Sequence, residues 1–251
     1  VHAEIRRRGL LKTNMVLGSA LIGMYGKCGA IFKALEVFYE LPERNVVSWT
    51  ALIAAYAQNG LADEALKCYS QMQDQGLIPN EVTFSCVLKV CGRRGLIEIG
   101  EQIHAEVAKQ GFLLGGNSEL LGTALVGMYI KCGRLAEAEE IHKELHFRDP
   151  ISWSTLISGC AQQGQGCKAL DCFELVHRQR ISPDVTTLTC TLKACGSIGV
   201  ISKGEKIHDH IVSLDLLDKY TYLGNALVCM YIQAGALAKA QLVLDEIDAP
   251  N

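Results

Sequence analysis

The sequence repeats itself with a period of about 104 residues, and this constrains its fold more than any other feature. Three different segments recur at this spacing, and their copies begin at residues 20 and 124, 46 and 150, and 83 and 187. The first segment reads ALIGMYGKCG and then ALVGMYIKCG, and it returns once more at 226 as ALVCMYIQAG. Because one period runs through independent segments, we expect a repeat architecture rather than a closed globular domain.

Residues 46–80 have the pattern of one helical hairpin. Apolar residues from Leu52 to Ala57 keep helical spacing until the dipeptide Asn59-Gly60 breaks the helix. A second amphipathic helix is predicted from about Leu61 to Gln75, ended by Gly76 and then Pro79. Neither helix can cover its apolar stripe alone, so successive hairpins must stack.

Alignment of the copies divides the chain into one partial unit and seven full ones. Their bounds are 1–14 (partial), 15–45, 46–80, 81–118, 119–149, 150–184, 185–220 and 221–251. The opening VHAEI matches IHAEV at 103–107, so we expect the chain to start inside a repeat and to be a segment of a longer protein. The predicted fold is an all-α solenoid of about seven stacked hairpins, continuous from 1 to 251.

Composition narrows the possible functions. The formal net charge of −3 argues against a protein that holds phosphate backbones by bulk positive potential. No apolar run approaches the roughly 18 residues of a membrane helix. The eleven cysteines are scattered without any C-x-x-C, which favours buried free thiols acting as small apolar residues in a reducing compartment.

The alternation of about 35, about 36 and 31 residues resembles the P, L and S motifs of plant pentatricopeptide repeat proteins of the PLS subclass. The resemblance rests on NVVSWTALIAAYAQNGLADEALKCYSQM for P, VTFSCVLKVCG with GEQIHAEV for L, and GTALVGMYIKCGRLAEAEEIH for S. It implies a right-handed α-solenoid in mitochondria or chloroplasts that binds single-stranded RNA, one base per repeat. It further implies the targeting segment of a C-to-U RNA editing factor, with no catalytic activity and no cofactor in this segment.

By the family's pattern, the fifth and last residues of each unit read a base. Carried onto this sequence, the pairs are Ser19 with Asn45, Thr50 with Asn80, Ser85 with Ser118, Thr123 with Asp149, Ser154 with Asp184, Thr189 with Tyr220, and Asn225 with Asn251. The second residue of each unit is the implied apolar slab between bases: Val16, Val47, Val82, Leu120, Ile151, Thr186 and Tyr222. The implied phosphate contacts are Lys27, Arg93 and Lys131.

The chemistry of the last residues agrees with such a code. A carboxylate only accepts, which suits the N1 and N2 donors of guanine, whereas an amide can also donate to adenine N1. With the family's preferences, and read from the N-terminus as the 5′ end, the predicted target is A-A-n-G-G-n-Y. The same Asn and Asp residues precede helices and are natural N-caps, and the two roles can coexist.

Two other functions compete with RNA binding. His-Ala-Glu at 2–4 and 104–106 resembles half of a zinc deaminase signature, but no C-x-x-C completes it, which argues against an enzyme. A protein–protein scaffold of the tetratricopeptide kind is the alternative, yet those repeats keep a uniform 34-residue period. The family resemblance also implies docking of multiple organellar editing factors on the L units.

Overall fold

A computed structural model of the chain describes residues 2–12, 14–113, 119–144 and 150–248. Within these ranges the regular secondary structure is helical and no strand occurs. The chain forms two compact units, Val1–Cys132 and Gly133–Asn251.

In its described residues, the first unit holds eight α-helices and one short 3₁₀ turn at Leu10–Lys12. The helices are α1 (His2–Arg7), α2 (Met15–Lys27), α3 (Ile31–Glu40), α4 (Val46–Gln58), α5 (Ala62–Asp74), α6 (Glu81–Arg94), α7 (Ile97–Lys109) and α8 (Glu119–Lys131). Helix α2 packs on α3 within a hairpin and on α4 of the next hairpin, and α4, α6 and α8 continue this order.

The second unit has the same construction. Its helices are α9 (Leu135–Glu144), α10 (Pro150–Gln162), α11 (Gly166–Arg178), α12 (Val185–Ile198), α13 (Ile201–Ser213), α14 (Leu216–Lys219), α15 (Thr221–Gln233) and α16 (Leu237–Asp248). Helix α10 packs on α11 and α12, and α12 packs on α13 and α15. The short α14 was not predicted.

The helix boundaries lie where the sequence signals place them. Helix α4 is followed by Asn59 as C-cap and by Gly60 at a φ of 76°. Helix α5 ends before Gly76, whose φ of 72° is the left-handed conformation that glycine adopts without strain. The predicted all-α fold of stacked hairpins is confirmed.

Glycines allow the first helix of one hairpin to approach the first helix of the next hairpin closely. A Cβ at Gly26 would lie 2.5 Å from Ala55 Cβ and 2.9 Å from Ala55 Cα, so α2 and α4 meet backbone to backbone there. Gly92 and Gly196, which are 104 residues apart, approach Met128 Cα and Met230 Cα in the same way, each at 3.1 Å from an added Cβ. These contacts fix the spacing between neighbouring hairpins.

The two tryptophans and four of the eleven cysteines are buried packing residues. Trp49 and Trp153 are each 3% exposed. All eleven cysteines are free thiols, and Cys68, Cys91, Cys160 and Cys195 are buried. Burial raises the pKa of the Cys91 thiol to about 12. The prediction of buried thiols is wrong for Cys28, Cys167 and Cys229, which are exposed.

Candidate nucleic-acid interface

Three of the predicted last residues, Asn45, Asn80 and Asp184, cap the helices that follow them. Asn45 Oδ1 accepts from the backbone N–H of Ser48 at 3.0 Å, and Ser48 Oγ accepts from the backbone N–H of Asn45 at 3.0 Å. Asn80 Oδ1 accepts from the backbone N–H of Thr83 at 2.9 Å. Asp184 Oδ1 accepts from the backbone N–H of Thr187 at 2.7 Å. Each cap satisfies an amide that the helix itself leaves unpaired.

Each cap uses only one end of its side chain. Since the oxygen of an amide faces the helix N–H, the Nδ2 groups of Asn45 and Asn80 are left as donors. Asn45 Nδ2 meets only Met15 Sδ, at 3.6 Å, and the described residues give Asn80 Nδ2 no partner. Asp184 is exposed, and its Oδ2 has no partner in the described part of the chain. The caps therefore coexist with a free donor or a free acceptor.

The predicted fifth-position readers lie one turn into these helices, and most are buried. Thr50, Ser154 and Ser19 are 7 to 8% exposed and Ser85 is 2% exposed, whereas Asn225 is exposed. Four of these hydroxyl groups donate to carbonyls within their own helices: Ser19 to Met15 at 3.0 Å, Thr50 to Val46 at 2.7 Å, Ser154 to Ile151 at 3.0 Å and Thr189 to Val185 at 2.8 Å. Their lone pairs remain as acceptors, and their small size leaves room beside the caps.

Thr83 joins one predicted pair into a continuous network. Its hydroxyl donates to Asn80 Oδ1 at 2.9 Å and can accept from Thr50 Oγ1, 2.6 Å away, when the Thr50 proton turns from the Val46 carbonyl. Sequence reasoning missed this residue, although the copy of Thr83 at Thr187 bonds Asp184 in the same way, at 2.6 Å. A hydroxyl residue three positions after each cap was the available signal.

Asn14 is a second residue that the sequence interpretation missed. It ends the partial first unit, and its Oδ1 accepts from the backbone N–H of Leu17 at 3.1 Å, which caps α2. Three of the predicted last residues, Ser118, Asp149 and Asn251, lie outside the described residues. Tyr220 stands at the cap position of α15 but makes no side-chain cap bond.

The predicted slab residues form the exposed apolar positions at the starts of the first helices. Val16 is 78% exposed and Ile151 is 63% exposed, and each is the second residue of its helix. The same exposure is shared by Val47, Val82, Leu120 and Tyr222, and Thr186 is also exposed. An apolar side chain left in water two residues after a cap is available to pack against a flat ligand group.

The predicted phosphate-contacting cations divide into two kinds. Lys27 and Lys131 are exposed in the last turns of α2 and α8. Arg93 instead donates from Nη1 to the carbonyl of Ala57 at 3.0 Å, which joins α6 to α4. Arg93 therefore has a structural role that the sequence did not indicate.

Histidines of the His-x-Glu segments contact tyrosines of the repeat that follows. His104 Nδ1 lies 3.0 Å from Tyr129 Oη, and the copies of this contact are His2 with Tyr25 at 2.8 Å and His208 with Tyr231 at 3.0 Å. Glu106 Oε2 accepts from Tyr69 Oη at 3.1 Å. Burial, and then the charge of Glu106, raises the pKa of Tyr69. Among the described residues, no group of three His, Cys, Asp or Glu side chains is arranged to hold a metal ion.

The fold and the caps place this chain in the class of repeat proteins that are built from stacked helical hairpins with polar cap residues between them. Sequence comparison identifies the family within this class. Models of the PPR repeat family match residues 44–93, the pentatricopeptide repeat domain matches 148–197, and the PPR repeat matches 19–46 and 123–149. These matches cover more than half of the chain, which belongs to the pentatricopeptide repeat family.

Proteins of Arabidopsis thaliana are similar over almost the whole chain. A putative pentatricopeptide repeat-containing protein is 40% identical over 98% of this chain and 36% of its own length. A chloroplastic family member is 32% identical over 100% of the chain and 40% of its own length, and a mitochondrial one is 35% identical over 98% and 38%. The chain thus spans well under half the length of these relatives.

Solved structures share the fold. The crystal structure of the pentatricopeptide repeat protein PPR10 in complex with an 18-nt psaJ RNA element matches with a TM-score of 0.79 at 22% identity, over 98% of this chain and 36% of that one. PPR10 from maize matches with a TM-score of 0.67 at 18% identity, over 93% and 34%. No described helix of the present chain is long and apolar enough to cross a membrane.

Proposed function

We propose that this chain binds single-stranded RNA one base per repeat and is the targeting segment of an organellar C-to-U RNA editing factor. The observation that carries the proposal is that, in Asn45, Asn80 and Asp184, one polar atom of the side chain caps the helix and the other polar atom faces away from it. Support comes from PPR10, a protein of this fold crystallised with RNA, and from relatives named as chloroplastic or mitochondrial. The PLS subclass, and docking of multiple organellar editing factors on its L units, belong to the same proposal.

The atoms left by the caps match the proposed bases. The Nδ2 donors of Asn45 and Asn80 suit the N1 acceptor of adenine, and Asp184 Oδ2 suits the N1 and N2 donors of guanine. The exposed slabs, such as Val47 beside Asn45, would pack on the base faces. This gives A-A at the first two positions and G at the fifth position of A-A-n-G-G-n-Y.

The test replaces a carboxylate by an amide at one cap and an amide by a carboxylate at another. Asp184→Asn should move the preference at the fifth base from guanine toward adenine, because the new amide offers a donor to adenine N1. The matched control, Asn80→Asp, should move the second base from adenine toward guanine. A good base contact is worth about 1–3 kcal/mol, so each preference should change by roughly ten- to a hundredfold.

The measurement is a binding titration at one fixed salt concentration, since affinities for RNA shift with salt. The RNAs are A-A-n-G-G-n-C and its single changes to adenine at the fifth base and guanine at the second, with both n bases kept constant. Thermal midpoints should stay unchanged, because Asn and Asp cap helices almost equally well. Equal affinity of all three proteins for all three RNAs would show that these residues are caps only.

A further inference from the structure

A cavity of about 450 Å³ opens between α11 and α13, the second helices of two neighbouring hairpins. Leu170 and Ile207, each 3% exposed, form its floor together with Phe173 and Pro183. The rim carries Arg178, Lys206, Lys203, His177, His210 and Glu174. A cavity of this volume, with an apolar floor and a few polar groups, has the dimensions of a small-molecule site.

The sequence repeat supplies an internal comparison, because every lining residue has a counterpart 104 positions earlier. The floor is retained there as Leu66, Ile103 and Pro79. In that first copy the side chains of Tyr69, Gln73 and Glu106 close the groove: Tyr69 Oη donates to Glu106 Oε2 at 3.1 Å and Gln73 Nε2 donates to it at 3.2 Å. In the second copy the same three positions hold Phe173, His177 and His210. No side-chain hydrogen bond joins these three described residues across the groove.

The exchange also changes the charge of the groove. Arg178 replaces Asp74, Lys206 replaces Gln102, and His210 replaces Glu106. Glu174 forms an ion pair with Lys203, whose Nζ lies 2.6 Å from Glu174 Oε1, and its charge also interacts at longer range with Arg178 and Lys206. In the described part of the chain, the side chains of Arg178, Lys206, His177 and His210 have neither an ion pair nor a hydrogen bond. Two full cations and two imidazoles therefore surround an apolar floor in a chain whose net charge is −3.

We propose that this cavity binds a small organic phosphate with a flat apolar group, the chemistry of a nucleoside monophosphate. The flat group would lie on the floor beside Phe173, and the phosphate would be held by Arg178 and Lys206. A dianionic phosphate fits the number of unpaired donors on the rim better than a single carboxylate does. The ligand can be a free nucleotide or the terminal nucleotide of an RNA.

This site is separate from the proposed base-reading positions. The readers and slabs lie at the starts of first helices such as α10 and α12, whereas the cavity is lined mainly by α11 and α13. Loss of base discrimination and loss of nucleotide binding can therefore be observed independently, and either proposal can fail without the other.

The experiment titrates adenosine monophosphate into the whole chain, with chemical shifts of the histidine rings and calorimetry as readouts. We expect saturable binding, with roughly tenfold or greater weakening for adenosine, which lacks the phosphate, and for inorganic phosphate, which lacks the flat group. Displacement by a 5′-phosphorylated RNA, but not by the same RNA without the phosphate, would identify the RNA end as the source. Failure of that RNA to compete would identify the free nucleotide.

The internal copy provides the variants. The triple substitution Phe173→Tyr, His177→Gln and His210→Glu installs the residues that close the first groove and should abolish binding. The matched control makes the reverse changes in the first copy, Tyr69→Phe, Gln73→His and Glu106→His, and should leave the site at α11 and α13 intact.

The single change Lys206→Gln, at an exposed position, removes one rim charge without affecting the floor and should weaken binding by roughly tenfold. The proposal is overturned if adenosine monophosphate shows no saturable binding to the wild type. It is equally overturned if the closing variant and Lys206→Gln both bind it as well as the wild type does.

Discussion

Replacement of Gly26 by alanine tests whether the close approach of successive first helices fixes the hairpin spacing. The added Cβ would lie 2.5 Å from Ala55 Cβ and 2.9 Å from Ala55 Cα. Because one of these atoms is backbone, relief requires α2 and α4 to separate. Overpacking of this kind costs about 1–3 kcal/mol. The site is braced further by Asn59 Nδ2, which donates to the carbonyl of Gly26 at 2.8 Å.

Gly23 of the same helix is the matched control. A Cβ there meets no atom within 4 Å, so Gly23→Ala should stabilise the protein by about 0.5–1 kcal/mol through helix propensity alone. Gly26→Ala gains at most the same propensity and adds the steric cost. The two variants should therefore differ by about 1–3 kcal/mol, with Gly26→Ala the less stable.

The assay is urea denaturation followed by far-ultraviolet circular dichroism and by fluorescence of the buried Trp49 on α4. A midpoint for Gly26→Ala that equals or exceeds that of Gly23→Ala would refute the role assigned to this contact. RNA titration supplies a second readout, since a wider gap between α2 and α4 should weaken discrimination at the first two bases and leave the fifth base unaffected.

Four further outcomes are expected. Tyr231→Phe should destabilise the protein by about 1–3 kcal/mol in thermal melts, because it removes the 3.0 Å contact with the half-buried ring of His208; an unchanged midpoint would count against this. The exposed thiol of Cys28 should react with a disulfide reagent well before Cys91, and equal rates would contradict the burial of Cys91. Burial raises the pKa of the Cys91 thiol from 9.0 to about 12, so the buried neutral thiol contributes stability that is fully present below pH 9 and is lost as pH rises through 12. Thermal melts of Cys91→Ala and the wild type across this pH range measure that loss. Elemental analysis should find no stoichiometric zinc; one zinc per chain that disappears on His104→Ala would restore the deaminase interpretation.

The helices were predictable because their signals are local. Gly60 and Gly76 ended the helices of residues 46–80 as expected. The caps could likewise be predicted, since an Asn or Asp before an apolar helical pattern has few other local functions.

The contacts between hairpins were not predictable from one repeat at a time. Arg93 matched the position of a phosphate ligand, yet its guanidinium reaches the carbonyl of Ala57, 36 residues away. The His104–Tyr129 contact and the open groove beside Phe173 also depend on side chains from two units. Comparison of the copies for changes of charge, such as Glu106 to His210, would have revealed the groove from sequence alone.

The cap bonds limit how much the side chain between two hairpins can vary for base recognition. A side chain at Asn80 or Asp184 must keep one acceptor for the helix, so only the atom at its other end is free to vary. Among side chains that cap well, amide and carboxylate have the same shape and differ at that one atom. Under the proposed base reading, each cap residue therefore offers the RNA either one donor or one acceptor. Asn–Asp exchanges can change the target sequence and leave the scaffold as stable as before.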